Sequence, residues 1–257
     1  MRIAVAGGSG PVGAQCVDTL RARGHEVSIL SRRAGIDLRD GSGLVQALDG
    51  MDTVLDVTNV MTLSRRRART FFQTVTTNLL RAERRAGVTH HLILSIVGID
   101  GVDAAYYAGK LAQEQRVLNG DTPFTIARAT QFHEFAGQLL DTQRGPLALL
   151  PRTLVRPVAV HEVAERLAML ADAGPQGRVA DLIGPRDEVL ADLARRQLRA
   201  DGITRVVREV RFPGAYGRCL ASGRLRGDPT GNPGPVYGRT TFDDWLQARR
   251  RDNAPPR

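Results

Sequence analysis

Arg2-Ile3-Ala4-Val5-Ala6-Gly7-Gly8-Ser9-Gly10-Pro11-Val12-Gly13 decides the fold. The first five residues form an apolar run of strand length, and four of the next seven are glycine. Glycine admits positive φ and close backbone approach, so the segment predicts a buried strand, a tight turn and the start of a helix. The turn meets two templates at once. Gly7, Gly10 and Gly13 give G-x-x-G-x-x-G, while Gly8, Gly10 and Gly13 give G-x-G-x-x-G. Such turns let backbone N–H groups, Ser9 and Val12 included, approach a pyrophosphate at the positive end of a helix. Pro11 suits the first helical turn, where its missing N–H goes unused. A tight turn that holds no ligand would use the same glycines.

Outward from this turn, apolar runs alternate with amphipathic stretches. Strands are expected at Glu26–Leu30, Thr53–Val57, His91–Ser95 and Phe124–Arg128, and helices at 44–48, 70–86 (closed by Gly87) and 104–118. That alternation implies right-handed crossovers and a doubly wound parallel sheet of the Rossmann type. Beyond Gln131 the pattern loosens. Helices are expected at 161–172, 188–199 and 241–249, strands near 153–160, 179–183 and 205–210, and a loop over 223–238. The expectation is one domain over 1–257: a cofactor-binding core to residue 150, a small C-terminal region, mainly substrate-binding, over 151–250, and a tail at 251–257.

Hydrophobic residues make up 42% and charged residues 25% of 257, ordinary for a folded globular chain. The apolar runs are too short to span a membrane. Met1-Arg2 leads directly into one of them, unlike a signal peptide, and Cys16 and Cys219 lie far apart with no metal-ligand spacing. A cytoplasmic protein without metal is expected. The formal charge of +9 raises the question of nucleic acid, but Lys110 is the only lysine among 36 basic residues. Arg65-Arg66-Arg67 with Arg69 carries no interleaved aromatics and reads as a solvated helix start. No nucleic-acid or membrane partner is expected, only a small-molecule substrate, with the chain a monomer or homodimer.

The second strand ends Leu30-Ser31-Arg32-Arg33, with no acid before Asp37. An acid there would hold a ribose 2′-hydroxyl, whereas arginine forks onto a 2′-phosphate. NADP(H) is therefore expected over NAD(H), with Asp37 and Leu38 near the adenine edge. Surface arginines are equally at home in so arginine-rich a chain.

Tyr106 and Lys110 stand four apart on one predicted helix face, where an ammonium favours the phenolate and lowers its pKa. With four tyrosines in 257 residues, a randomly placed lysine falls four after one of them only about 2% of the time. Ser95 closes the preceding strand, where its hydroxyl can polarise a carbonyl or satisfy a loop backbone.

In this order, glycine turn, Ser95, Tyr106 and Lys110 resemble the short-chain dehydrogenase/reductase superfamily. The stretches LSIVGID (94–100), YYAGKLAQE (106–114), FTIARATQFHEF (124–135), VHEVAERLAML (160–170) and GRTTFDDWL (238–246) are similar to its atypical NmrA-like branch. The resemblance implies hydride transfer at a nicotinamide, to or from a carbonyl, quinone or enone. Tyr106 would act as acid/base, Lys110 would also hold the ribose, and Ser95 would assist. It implies Thr58, Asn59, Ala129 and Thr130 along the cofactor, and Gln131 and Phe132 toward the substrate. Tyr107 and His133 are further substrate candidates, and His133 reads equally as a proton donor or as a partly buried histidine at a helix start. The branch also includes dinucleotide-sensing regulators without activity, which bind a protein partner; the intact pair favours an enzyme. His161-Glu162 lacks the second histidine of a zinc site, and no G-x-S-x-G elbow supports a hydrolase.

Overall fold

The computed structural model describes residues 1–231 and 234–252. In chain order these form β1 (Arg2–Ala6), α1 (Pro11–Ala22), β2 (Glu26–Leu30), α2 (Leu44–Ala47), β3 (Thr53–Asp56), α3 (Arg65–Ala86), β4 (His90–Ile96), α4 (Ala105–Leu118) and β5 (Phe124–Ala129). Next come α5 (Phe135–Asp141), β6 (Leu147–Pro151), β7 (Leu154–Val155), α6 (Val160–Ala173), β8 (Gly177–Arg178) and β9 (Leu182–Ile183). The chain ends with β10 (Glu188–Val189), α7 (Leu190–Ala200), β11 (Val206–Val210), α8 (Gly214–Ala221), β12 (Val236–Tyr237) and α9 (Phe242–Asp252).

The chain divides into two compact units, both discontinuous. The first takes residues 1–95, 100–128 and 160–179, and the second takes 96–99, 129–159 and 180–257. In the first, β1 pairs in parallel with β2 on one side and with β3 on the other, and β3 pairs in parallel with β4. β5 follows β4, and β8 joins β5 in parallel. This is the doubly wound parallel sheet expected from the sequence. Chain order reverses at β1, because α1 leads to β2 on one side and the return leads to β3 on the other. The carboxyl ends of β1 and β3 are thus the switch point at which open α/β sheets bind ligands.

β1 is buried from Ile3 to Ala6, and its Ala4 and Ala6 share a core with Leu30, Leu44, Val54, Val75 and Leu79. α3 begins at Arg65, five residues before the expected start, because the Ser64 hydroxyl caps it by accepting from the Arg67 N–H at 3.3 Å. Its first turn is the arginine cluster, which opposes the helix dipole. Asp103 answers that charge, accepting from Arg65 Nε at 2.9 Å and lying 3.7 Å from Arg69. Gly87, at φ +74°, closes the helix as expected.

In the second unit β6 pairs in parallel with β11, and β7 pairs antiparallel with β10. Leu182 of β9 lies beside Ala129, and β12 pairs in parallel with β9. Ala136, Leu140, Leu150, Leu193, Leu198 and Phe242 form its core. The strand expected over 153–160 is only two residues long, and the expected helix at 188 opens as a two-residue strand. α9 runs through Asp252, past the expected start of the tail at 251. Residues 253–257 of that tail lie outside the described chain.

Candidate active site

The glycine turn is built by contact between bare backbones. Gly7 takes φ +84°, closed to most L side chains, and a Cβ on it would lie 3.0 Å from the Val57 carbonyl and 3.1 Å from Thr58. A Cβ on Gly8 would meet Ile29 at 3.0 Å. One on Gly13 would stand 2.1 Å from the Gly7 carbonyl oxygen, so α1 docks on the turn only because position 13 is bare. Gly10 caps α1 with extended backbone, Pro11 follows, and no side chain satisfies the helix N-terminus. The free N–H groups of that first turn, with no acid beside them, are ready donors to a pyrophosphate.

At the end of β2, Arg32 and Arg33 are exposed on a short 3-10 turn that Ser31 introduces. Asp37 is engaged with Arg39, accepting from its backbone N–H at 3.0 Å and from its guanidinium at 2.9 Å. The Arg39 hydrogen bonds hold the Asp37 carboxyl down at about 2, with Arg32 adding a smaller pull. Leu38 turns into the core beside Leu44 and Leu79.

Ser95 and Thr58 stand at or just past the carboxyl ends of β4 and β3. Both are buried, and both hydroxyl oxygens lack a partner in the protein. Buried polar atoms without partners are uncommon in native chains, and two of them where a ligand is expected fit a bound molecule. Asn59 is exposed beside Thr58.

Tyr106 and Lys110 lie on α4, and both pack on Phe72. The Tyr106 ring centroid is 5.8 Å from that of Phe72, and Lys110 Nζ sits 4.6 Å from the same centroid. The Lys110 ammonium turns inward, donating to the Leu94 carbonyl at 2.9 Å, to Gln113 Oε1 at 2.9 Å and to the Thr58 carbonyl at 3.5 Å. Gln113 Nε2 donates in turn to Asp56 Oδ2 at 2.8 Å, and Asp56 Oδ1 accepts from the Thr58 N–H at 2.9 Å. Burial pulls the ammonium down to about 8, against the opposing charges of Asp56 and Glu114. Burial also pushes the Tyr106 phenol above its ordinary range, opposite to the lowering expected from the lysine spacing. The difference is physical: the ammonium is committed to interior acceptors, so desolvation governs the phenol. Ala105, immediately before Tyr106, takes φ +46°, a strained value for alanine.

α4 is held from below by Arg128 of β5. This buried guanidinium donates to Glu114 through Nε at 2.8 Å and through Nη2 at 2.6 Å, and to Asp100 at 2.9 Å. Sequence reasoning did not single out Asp56, Gln113, Glu114 or Arg128. The signal was a charged residue ending each of two apolar strands, which requires a buried partner.

Tyr107 is buried in the first unit, its ring centroid 6.2 Å from that of Tyr106. The remaining expected residues belong to the second unit. Ala129 is buried beside Leu182, and the Thr130 hydroxyl accepts from the Gly184 N–H at 3.2 Å. Phe132 bridges to Val158, and neither polar atom of the Gln131 amide has a protein partner. His133 is buried in packing: Nε2 lies 3.0 Å from the Thr240 carbonyl, and its ring is 5.7 Å from both Phe242 and Trp245. Among the described residues no cluster of His, Cys, Asp or Glu could hold a metal ion, and no helix is long and apolar enough to cross a membrane.

Residues 3–128 match the model of the NAD dependent epimerase/dehydratase family, in keeping with the short-chain dehydrogenase/reductase resemblance. No curated protein matches the chain. Among solved structures, an NADPH-dependent quinone oxidoreductase from Escherichia coli, complexed with NADPH, aligns at TM-score 0.69 and 16% identity over 96% of this chain and 99% of its own. A triphenylmethane reductase from Citrobacter, complexed with NADP(H), aligns at TM-score 0.70 and 16% identity, covering 96% and 100%. A nucleoside-diphosphate-sugar epimerase from Staphylococcus aureus aligns at TM-score 0.70 and 15% identity, with the same coverage. At these identities the likeness is one of fold.

Proposed function

From the match of residues 3–128 to the NAD dependent epimerase/dehydratase family model, we propose that the chain is a cytoplasmic NADP(H)-dependent reductase of a small organic substrate. The observation that carries this reading is the bare turn Gly7–Gly13 at the switch point. It has an uncapped helix N-terminus on one side and exposed Arg32 and Arg33 on the other. The residues fit the cofactor. The turn and the first N–H groups of α1 hold the pyrophosphate, Arg32 and Arg33 take the 2′-phosphate, and the orphaned Thr58 hydroxyl serves the same crevice.

NADPH, when bound, supplies the hydride. The protein's part is to orient a carbonyl, quinone or enone and to deliver a proton. Ser95, with a buried and unpartnered hydroxyl, donates a hydrogen bond to the substrate oxygen. Tyr106, kept as the neutral phenol by burial, is the proton donor. A phenol held protonated suits reduction better than oxidation, which would need it as a base. Lys110 holds the carboxyl ends of β3 and β4 in register beneath the site.

The inward commitment of Lys110 favours a second reading, a dinucleotide sensor that binds NADP(H) and a protein partner without turnover. Spectrophotometric NADPH consumption against quinones, enones and carbonyls separates the two. Turnover of any class supports the reductase. Tight NADPH binding with no turnover across the panel overturns it.

A further inference from the structure

Lys110 is the chain's only lysine, and its ammonium is enclosed: the residue is 4% exposed. An enclosed ammonium without good acceptors is strongly destabilising, so whatever holds it determines where it sits and whether it stays charged. Two of its three acceptors are backbone carbonyls, and the contact to Thr58 is long at 3.5 Å. The one side-chain acceptor is Gln113, three residues on along the same helix face.

Gln113 is itself fully buried and serves two partners of opposite charge. Its carbonyl oxygen accepts from Lys110 and its amide donates to the Asp56 carboxylate, which is 0% exposed. A glutamine amide can accept from an ammonium at one end and donate to a carboxylate at the other. A glutamate would repel Asp56, and a leucine would leave both partners unsatisfied. Asp56 fixes the direction of the amide, since with the amide reversed Nε2 would face an ammonium and Oε1 a carboxylate.

We infer that Gln113, oriented by Asp56, is the positioning residue for Lys110, holding its ammonium between the ends of β3 and β4. The functional weight of this rests on the reading of Lys110 as part of the NADP(H) site; the positioning itself does not. The charged groups around the ammonium are Asp56 from β3 and Glu114 from α4, the latter neutralised by Arg128 of β5. His91 of β4, 2.7 Å from Glu83 of α3, faces Asp56 as well, and Glu83 and Asp56 both raise its pKa against burial.

A single lysine makes the test direct. In protein carrying 13Cε-lysine, the one resonance reports Lys110, with an expected midpoint near 8 in the native chain. Gln113→Leu should lower that midpoint by about one unit and Gln113→Glu should raise it by about one. General loosening of the helix would move both variants the same way. Opposite shifts uphold the inference; shifts in one direction, or midpoints unmoved in both, overturn it. Should neither variant fold, Gln113→Asn carries the test: an amide one methylene shorter cannot span both partners, so a lowered midpoint upholds the inference and an unchanged one overturns it. The readout needs no cofactor. Failure to bind NADPH would remove the proposed function and leave the positioning intact, while turnover with an unmoved lysine would do the reverse.

Discussion

Gly13 and Gly7 meet backbone to backbone, with the space for a Cβ at position 13 lying 2.1 Å from the Gly7 carbonyl oxygen. No rotamer relieves such an overlap, because both partners are main chain. Gly13→Ala must therefore displace α1 from the turn. Isothermal calorimetry should show NADPH affinity falling at least about tenfold, and the thermal midpoint should drop with a loss of roughly 2–4 kcal/mol. Native affinity in a stable Gly13→Ala protein would show that this turn does not hold the nucleotide.

Arg32 is exposed at the end of β2 with no acid ahead of Asp37, which is occupied by Arg39. Arg32→Ala should weaken NADPH about tenfold while leaving NADH nearly unchanged, since the lost contact is to the 2′-phosphate. Equal losses for the two nucleotides in paired titrations would refute that assignment.

Replacing Tyr106 by phenylalanine keeps the ring against Phe72 and removes only the hydroxyl. NADPH-dependent turnover should fall by about 10²–10⁴-fold, with the NADPH dissociation constant preserved. If the variant reduces its substrate at the native rate, the proton comes from elsewhere.

His90 is buried, with Nε2 2.9 Å from the Thr125 hydroxyl, and burial lowers its pKa from 6.5 to about 4. Its folded pKa lies below the unfolded value, so its contribution to stability is complete above about 6.5 and is lost as pH falls toward 4. Denaturation in urea should show stability declining across that window by no more than about 3 kcal/mol from this group. His90→Gln should flatten the decline. An equally steep decline in the variant would place the acid sensitivity elsewhere.

Ala105→Gly tests the backbone that launches Tyr106. An alanine-to-glycine change in an ordinary helix costs about 1 kcal/mol, but at φ +46° glycine relieves strain of similar size. Melting should show no loss of stability, and a drop of the ordinary helical amount would mean that Ala105 is unstrained.

The first unit was legible because local signals and tertiary demands agree there. The glycines of the turn, Gly87 at a helix end and the four-residue spacing of Tyr106 and Lys110 each act within a few residues. The second unit was legible only in part, because its short strands are set by distant partners. Two-residue β12 exists through pairing with β9, inside a stretch expected as loop, and no local pattern announces that. β6 was missed because Leu147 and Leu149 are exposed while Ala148 and Leu150 are buried, so its all-apolar run hid an alternation. His133 was open between a substrate contact and a packed histidine, and its packing against Phe242 and Trp245, more than a hundred residues on, was not visible locally. The lysine was found, but its environment was not. Spacing gave its face of the helix and not the buried carboxylate across the sheet.

The order in which this polypeptide emerges during synthesis meets an obstacle in its interleaved architecture. α6, which packs on α1, and β8, which completes the edge of β5, come from residues 160–179, after a long excursion into the other unit. The first unit therefore cannot finish maturing when residues 1–128 alone have left the ribosome. It waits with a helix surface uncovered until some fifty more have been added. A message interrupted near codon 150 would yield a nascent product fit for proteolysis, not a minimal nucleotide-binding module.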